Sequence, residues 1–414
     1  MTEKFVVVVG GGPAGMMSAI RAGQLGCKVL LYEKKSSLGH KLLLTGNGRC
    51  NLTNTADLDT FLSRFFSNGD FLRDAFKKFF NKDLMRFFEE SGLRLKVERQ
   101  NRVFPVTDSS RSVLRIFEKR LKESNVEIFF NSRVKSILTS SNSVEGIMLD
   151  NGTRVACKAV VLATGGMSYA FTGSSGDGYE IARQLGHKIV PLRPGLVALK
   201  IKGDIFRLLE GLTLKNIRLT FNAEKESLTT DIGELLFTSF GISGPLVFSA
   251  SGKVVDWLRE KKPVVANIDL KPALSLQQLD ARLLRDFKAS SRKHIKNVLK
   301  QLLPNRLINV FLRVAEINSE TKVNQVNRLQ RMRLVRLCKE FSLDVLDSLP
   351  IEEAMITRGG VSLKEINPKT MESRLVKGLY FAGEIIDVDA DTGGFNLQAA
   401  FSTGFLAGES AALN

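Results

Sequence analysis

The chain of 414 residues is 43% hydrophobic and 25% charged, the balance of an ordinary globular protein with room for two or three domains, each with its own core. Sixty Lys and Arg against 43 Asp and Glu leave a formal charge of +17, which predicts attraction to polyanions and says nothing of fold. Four scattered cysteines (Cys27, Cys50, Cys157, Cys338) and three histidines form no metal-ligand spacing, so zinc and iron–sulfur sites are excluded; free thiols fit a reducing cytoplasm, and the glycine-broken apolar start reads as neither secretion signal nor membrane span.

The chain opens on a strand at 5–9, a glycine turn, a helix at 13–25 and a strand at 28–33, which is a βαβ unit. An excursion over 36–108 holds a glycine-rich loop and a phenylalanine-rich stretch. Phe61, Phe65, Phe66, Phe76, Phe79, Phe80, Phe87 and Phe88 recur at spacings of three and four and are read as core-facing helix positions. A helix at 110–123 and a strand at 127–130 resume the alternation. Hairpin strands follow, with Asp150-Asn151-Gly152 as a turn, and a buried-type strand at 159–163 ends the section. Short alternating stretches at 196–201, 214–221 and 234–238 predict a β-rich insert. From 275 to 340 the pattern is helical and basic, broken at Pro304, and strand-like pieces at 341–346 and 353–357 return to the β-rich insert. A strand at 378–382, a glycine-rich loop and a helix to 413 finish the chain. The expected domains are therefore an α/β domain in two parts (1–190 and 357–414), a β-rich insert (191–274, returning over 341–356) and a basic helical insert (275–340).

Five motifs carry chemistry. Gly10-Gly11-Gly12-Pro13-Ala14-Gly15 contains G-x-G-x-x-G between a strand and a helix, the context that gives the pattern meaning. Gly10 permits a tight turn, Gly12 lets backbone approach a pyrophosphate, and Gly15 lets helix pack on strand. The phosphates would then meet a helix N-terminus with free N–H groups. Glu33 ends the second strand at the distance expected for a ribose-binding carboxylate. Thr164-Gly165 after the strand at 159–163, Gly383-Glu384 after the strand at 378–382, and Gly394-Phe395-Asn396-Leu397 opening the last helix are the extra pieces that FAD needs and a nicotinamide dehydrogenase does not. Glu384 is placed for ribityl hydroxyls. The last helix would aim N–H dipoles where a flavin gathers negative charge. With no second G-x-G-x-x-G, NAD(P)H is expected to visit only transiently as reductant. A loop from His40 to Asn54 is dense in Gly and Asn, which allows left-handed backbone and close approach to a flat ring or phosphate. Within it Lys41 and Arg49 could neutralise phosphates or a substrate anion, and Cys50 is a candidate proton donor as well as a candidate packing residue.

The combination of Lys41 to Asn54 with Arg102-Val103-Phe104-Pro105-Val106, Gly233-Glu234-Leu235-Leu236-Phe237-Thr238, Gly241-Ile242-Ser243-Gly244-Pro245, Gly359-Gly360-Val361 and the stretch from 378 to 394 resembles the BaiN-like (YhiN-like) flavoproteins over nearly the whole chain. The resemblance implies α/β architecture, with a discontinuous Rossmann-like FAD/NAD(P)-binding domain, an inserted β-barrel-like domain and a basic helical domain. It implies FAD contacts at Gly10, Gly12, Pro13, Ala14, Gly15, Glu33, Lys34 and Lys41, at the Gly46, Asn47, Gly48, Arg49, Cys50 and Asn51 loop, and at Val134, Asp387, Asn396 and Leu397. Ala170-Phe171 after Ser168-Tyr169 departs from the family, which more often has a proline there; the departure bears on the substrate side.

Between Arg282 and Lys339 stand 15 Lys and Arg against three acids, Asp286, Glu316 and Glu320. Arg292, Lys293, Lys296 and Lys300 oppose Ile295, Val298, Leu299 and Leu302; Arg328, Arg331, Arg333 and Arg336 repeat the arrangement around Leu329, Met332 and Val335. Such helices pack one face and show a cationic one, and the shortage of acids for i, i+4 pairs favours an external polyanion, ribosomal RNA foremost. Aromatic residues are rare in this segment, so stacking on bases must come from elsewhere. Activities attributed to relatives include uridine reduction in ribosomal RNA, enone reduction and amine oxidation. The reading is an FAD-dependent, NAD(P)H-driven reductase of a conjugated C=C bond, uridine to dihydrouridine, with Cys50 the candidate acid for C5. The alternatives are a small-molecule reductase or oxidase and a non-catalytic flavin-bearing RNA-binding assembly factor.

Overall fold

A computed structural model describes residues 5–204 and 206–414. Residues 1–4, where the expected first domain starts, and residue 205, inside the expected β-rich insert, lie outside the described residues. The chain divides into two compact units, one up to Gly195 and from Ile351 to Asn414, the other from Leu196 to Pro350.

In the first unit four valines, Val6–Val9, form the central strand of a five-stranded sheet ordered Leu379–Phe381, Ala159–Leu162, Val6–Val9, Val29–Tyr32, Val126–Phe129. All four pairings are parallel. Every strand of this sheet except Val126–Phe129 is buried at every position, the continuous apolar run of a sheet covered on both faces. Val9 pairs with both Leu162 and Tyr32, and Phe381 with Leu162. The glycine turn, Glu33, Thr164 and Glu384 therefore leave the sheet at one edge, beside the strand where the connections reverse direction, the place where open α/β sheets bind ligands.

The first helix, Pro13–Gln24, and the last, Phe395–Leu413, pack with almost no side chain between them. A Cβ on Gly404 would lie 2.3 Å from the Ala14 carbonyl oxygen, and one on Gly408 would lie 2.2 Å from that of Ser18. This contact fixes the end of the chain against its beginning. The helix expected at 110–123 is found at Ser110–Glu123. Phe61, Phe76, Phe80 and Phe395 form an aromatic cluster, with Phe61–Phe395 centroids 4.7 Å apart. Phe65 and Phe66 depart from the helical expectation. They lie in a short strand, Phe65–Ser67, that pairs with Asp389–Ala390 and so alternates, Phe65 buried and Phe66 41% exposed. The piece expected at 353–357 to rejoin the β-rich insert instead follows a single 3₁₀ turn, Ile351–Glu353, into the strand Ile356–Val361, which pairs with Ile189–Gly195 in the first unit.

Among the described residues the second unit holds a seven-stranded sheet and the basic helices between 275 and 340. Thr213–Ala223 pairs with Gly233–Phe237, and the pairings continue through Gly241–Ser243, Leu199–Ile201, Phe341–Ser348 and Val264–Asp269 back to Thr213–Ala223. A helix at Pro245–Arg259 was not expected. Its signals were present: Pro245 opens it, and Leu246, Val247, Ala250, Val254 and Trp257 repeat at helical spacing. Pro304 caps the helix Asn305–Val314, while Ser275 with Gln278 and Asn327 with Gln330 make capping boxes for Leu276–Ala289 and Arg328–Lys339. In the last of these Leu334, Val335 and Cys338 are buried; Leu329, expected to face the core, is 64% exposed because it lies on the opposite side of the helix from that stripe.

Candidate active site

The opening turn separates the tasks of its glycines. Gly10 has φ +105°, and a Cβ there would sit 2.6 Å from the Ala163 carbonyl oxygen. A Cβ on Gly15 would sit 1.9 Å from the Gly10 carbonyl oxygen, so helix and turn touch only because Gly15 has no side chain. Around Gly12 a Cβ would meet nothing within 4 Å. The backbone there borders open space at a helix N-terminus. The first N–H bonded within the helix is that of Met16, to the Gly12 carbonyl at 2.9 Å, and Pro13 has none, which leaves Ala14 to offer its N–H to an anion in that space.

This space is one long cavity of the first unit, lined at one end by Glu33, Lys34, Arg133, Val134 and Asp177, in the middle by Gly10 to Ala14, Thr164 and Gly165, and at the other end by Lys41, Thr45, Glu384, Asn396 and Leu397. Glu33 is fixed by its own backbone surroundings: Oε2 accepts the Gly11 N–H and Oε1 the Lys35 N–H, both at 2.7 Å. Asp177 binds Lys34 at 2.8 Å and Arg133 at 3.0 Å. Burial pushes the Asp177 carboxyl up, but these cations and Ser175 outweigh it and hold it below the usual range. Glu384 is more densely tied. Lys41 Nζ donates to its two oxygens at 2.7 and 3.0 Å, Ser168 Oγ at 3.0 Å and the Thr357 N–H at 2.8 Å. Lys41 also reaches Ser168 at 2.7 Å. Asn396 fastens the last helix to the preceding loop, accepting the Ala390 N–H at 2.9 Å and donating back to the Ala390 carbonyl at 2.8 Å.

Of the residues expected at the cofactor, Gly10, Gly12, Pro13, Ala14, Glu33, Lys34, Lys41, Val134, Thr164, Gly165, Gly383, Glu384, Asn396 and Leu397 line the cavity. Gly15, Asp387, Gly394, Phe395 and the whole loop Gly46, Asn47, Gly48, Arg49, Cys50, Asn51 do not. That loop is a tight turn whose Cys50 N–H bonds the Thr45 carbonyl at 2.9 Å, so Thr45 faces the cavity and the rest lies behind it. Asn51, in the amide orientation that satisfies its neighbours, donates to the Thr53 and Val103 carbonyls and accepts the Gly394 N–H at 3.0 Å. It thus anchors the start of the last helix. Cys50 is fully buried, and burial pushes its thiol up to about 12. A thiol in that setting is packed rather than presented, which corrects its reading as a proton donor. Phe395 is spent in the aromatic cluster. Asp387 accepts from Asn68 at 3.2 Å, and burial raises its carboxyl above the ordinary range.

Sequence reasoning missed Arg133, Asp177, Ser168 and Thr357. Ser168 and Thr357 are buried and hydrogen-bond each other at 3.2 Å. Only the uncharged Gly-Ser-Thr stretch after Thr164 hinted at Ser168, and nothing local pointed to Arg133, Asp177 or Thr357.

In the second unit the cationic helices are partly neutralised from within. Arg331 pairs with Asp280 at 2.6 Å, Arg333 with Glu316 at 2.6 Å, Lys339 with Asp269 at 2.6 Å, and Lys296 with Glu320. Lys296, Arg331 and Arg333 are thus removed from the free cationic face on which the sequence placed them. Arg292, Lys293, Lys300, Arg328 and Arg336 are exposed and, among the described residues, have no ion-pair partner. Among the described residues no helix is long and apolar enough to cross a membrane, and no group of three or more His, Cys, Asp or Glu could hold a metal ion.

The family model described as "HI0933-like protein Rossmann domain" matches residues 4–410. The chain is 33% identical over 408 residues to a 3-dehydro-bile acid delta(4,6)-reductase of Clostridium scindens, covering 98% of each. It is 30% identical over 404 residues to a ribosomal RNA dihydrouridine synthase of Escherichia coli, covering 97% of this chain and 96% of that one. Among solved structures, a 3-ketosteroid delta1-dehydrogenase from Sterolibacterium denitrificans shares the fold, with TM-score 0.54, 14% identity and 99% of both chains covered. The chain belongs to the HI0933-like family, and it is an enzyme of the FAD-dependent oxidoreductase class.

Proposed function

From that membership, we propose that the protein is an FAD-dependent, NAD(P)H-driven reductase of a C=C bond conjugated to a carbonyl, acting on uridine in ribosomal RNA. The cavity fits FAD in one specific respect: Gly12 borders open space at a helix start, with a fixed carboxylate, Glu33, on one side and a second, Glu384, on the other. The Ala14 N–H would bind the pyrophosphate, Glu33 the adenosine ribose, Glu384 the ribityl chain, and the start of the last helix the ring system. Bound FAD supplies the hydride-transfer chemistry. Lys41 neutralises Glu384 and keeps a cation within reach of a developing oxyanion, while Asn396 holds the last helix where its free N–H groups face the cavity.

The observation that carries the RNA reading is the set of exposed, unpartnered cations Arg292, Lys293, Lys300, Arg328 and Arg336, which a small apolar substrate does not require. The ring of paired strands in Leu196–Pro350 supports the further proposal that a β-barrel-like insert bears these basic helices. A steroid-like enone is the second reading, favoured by the 33% identity to the bile-acid enzyme. Both substrates are unsaturated carbonyl compounds, and one site chemistry serves either. The deciding test incubates the flavin-loaded protein and NAD(P)H with ribosomal RNA lacking the modification, and follows dihydrouridine by mass spectrometry alongside steroid-enone reduction. Dihydrouridine formation supports the RNA reading; enone turnover without it overturns that reading.

A further inference from the structure

A second recess, of about 460 Å³, lies in the hairpin of Leu95–Glu98 and Arg102–Pro105 and is lined by Arg49, Glu98, Arg99, Gln100, Arg102 and Phe104. Its floor is a cation on a ring: the Arg49 guanidinium sits 4.1 Å over Phe104. The two carboxylates nearby are already used. Glu98 holds Arg49 at 3.0 Å and Lys96 at 3.2 Å, and Asp108 holds Lys96 at 2.7 Å and Arg49 at 3.4 Å. Arg99 and Arg102 have no ion-pair partner among the described residues, and Arg102 Nε is buried without an acceptor. Other arginine Nε atoms of the chain share that state, so what distinguishes the recess is that two guanidinium groups meet there with no carboxylate of their own. The intervening turn is held in an unusual shape. Gln100 and Asn101 both have φ +60°, and their carbonyls accept from Asn54 Nδ2 and the Thr55 N–H, each at 2.9 Å.

The recess is one loop away from the main cavity. Thr45 lines the cavity and Arg49 the recess, and a single turn joins them, closed by Cys50 N–H to Thr45 and by Arg49 N–H to Gly46 at 3.2 Å. We propose that the recess is a phosphate-binding subsite, in which Arg99 and Arg102 grip a phosphate of a nucleotide ligand over the Arg49–Phe104 floor. The planar, five-donor guanidinium fork matches a phosphate's oxygens, and two unpaired forks at one recess exceed what a neutral substrate needs. The phosphate belongs either to the pyridine-nucleotide reductant or to the backbone of an RNA substrate. The assignment rests on the nucleotide chemistry common to both, not on the RNA reading alone.

The test uses the flavin-loaded protein with Arg99→Gln and Arg102→Gln made singly. Flavin content and melting temperature are measured first, then the KM for NADPH and NADH in flavin reduction, and the binding of a labelled oligoribonucleotide against salt. Flavin content should not change. Either the KM for the dinucleotide or the Kd for RNA should rise roughly tenfold per arginine; in the RNA case the salt slope should also fall by about 0.7. A rise confined to the dinucleotide gives the recess to the reductant, one confined to RNA gives it to the substrate, and either supports the subsite. No change in both overturns it. If Arg102→Gln does not fold, the exposed Arg99 decides alone.

Discussion

Gly12→Ala and Gly15→Ala should fail in opposite ways. The methyl at position 15 would sit 1.9 Å from the Gly10 carbonyl oxygen, less than any non-bonded contact allows, so the first helix must move off the central strand. Strain of this kind in a fully packed core costs roughly 3 kcal/mol or more, a large fraction of the stability of a typical domain. At position 12 the methyl meets nothing within 4 Å, and φ −80° with ψ −177° is ordinary for alanine. The folding cost there is limited to a poorer helix cap, about 0.5–1 kcal/mol. That methyl does occupy the space through which a pyrophosphate would approach the Ala14 N–H. Losing one charge-assisted hydrogen bond of about 1.5–3 kcal/mol would weaken FAD binding by roughly tenfold to a hundredfold. The assay is thermal melting of deflavinated protein with and without added FAD, backed by flavin content from absorbance. Gly12→Ala should melt close to wild type alone but gain little on adding FAD, because ligand stabilisation scales with occupancy. Gly15→Ala should melt low in both conditions. If Gly12→Ala binds FAD as wild type does, the pyrophosphate does not lie at this turn and the assignment of the cavity falls.

Cys50→Ser should retain turnover within about threefold, since a thiol buried outside the cavity and pushed up to about 12 does not deliver protons; lost turnover with flavin content intact would restore it to the mechanism. His187 is buried against Glu365 and Ser373, and burial holds its imidazole below the ordinary 6.5. Its folded pKa is depressed, so the stability tied to its neutral form is present above 6.5 and is lost as pH falls below it, at no more than about 1.4 kcal/mol per pH unit. His187→Gln should flatten that part of a melting-temperature profile, and an unchanged slope between pH 7 and 5 would refute the attribution. Arg331→Ala should destabilise the protein, by about 1–3 kcal/mol in a denaturant titration, because it strands the half-buried Asp280. Arg336→Ala should leave stability alone while lowering the salt slope of RNA binding by about 0.7.

The first unit was legible because its signals are local and agree with one another. Four valines running into glycines can only be a covered strand before a tight turn, and the βαβ unit follows from that. The helix at Ser110–Glu123 was legible for the same reason, with apolar Val113, Phe117 and Leu121 at a clean helical period. Phe65 and Phe66 misled because spacing alone cannot distinguish helix from strand when the deciding partner, Asp389–Ala390, is more than 300 residues away. The piece at 353–357 was given to the wrong part of the fold on the same account: only the pairing of Ile356–Val361 with Ile189–Gly195 shows where it belongs.

The site divides along the same line. Residues whose role is set by backbone, such as Gly10, Gly12 and Glu33, were found, whereas Ser168 and Thr357 act through Glu384 and carry no local mark. Charge shows the limit most plainly. Counting acids between Arg282 and Lys339 made the segment look almost unopposed, yet Asp280 and Asp269, just outside that window, bind Arg331 and Lys339. Of the eight cations first assigned to a polyanion, Lys296, Arg331 and Arg333 are held internally and five remain free. A ligand would have to compete with a fixed carboxylate for each paired cation, so only the free ones release counterions at full effect. The binding slope this surface supports is therefore roughly −3.5 on single-stranded RNA, well below the −5.6 that all eight would give. A measured slope near the larger value would mean either that RNA also reaches the other exposed, unpaired cations of the segment, Arg285, Lys288, Arg313 and Lys322, or that it displaces Asp280, Glu316 and Glu320 from their arginine and lysine partners; charge-neutralising substitutions at the first set distinguish the two.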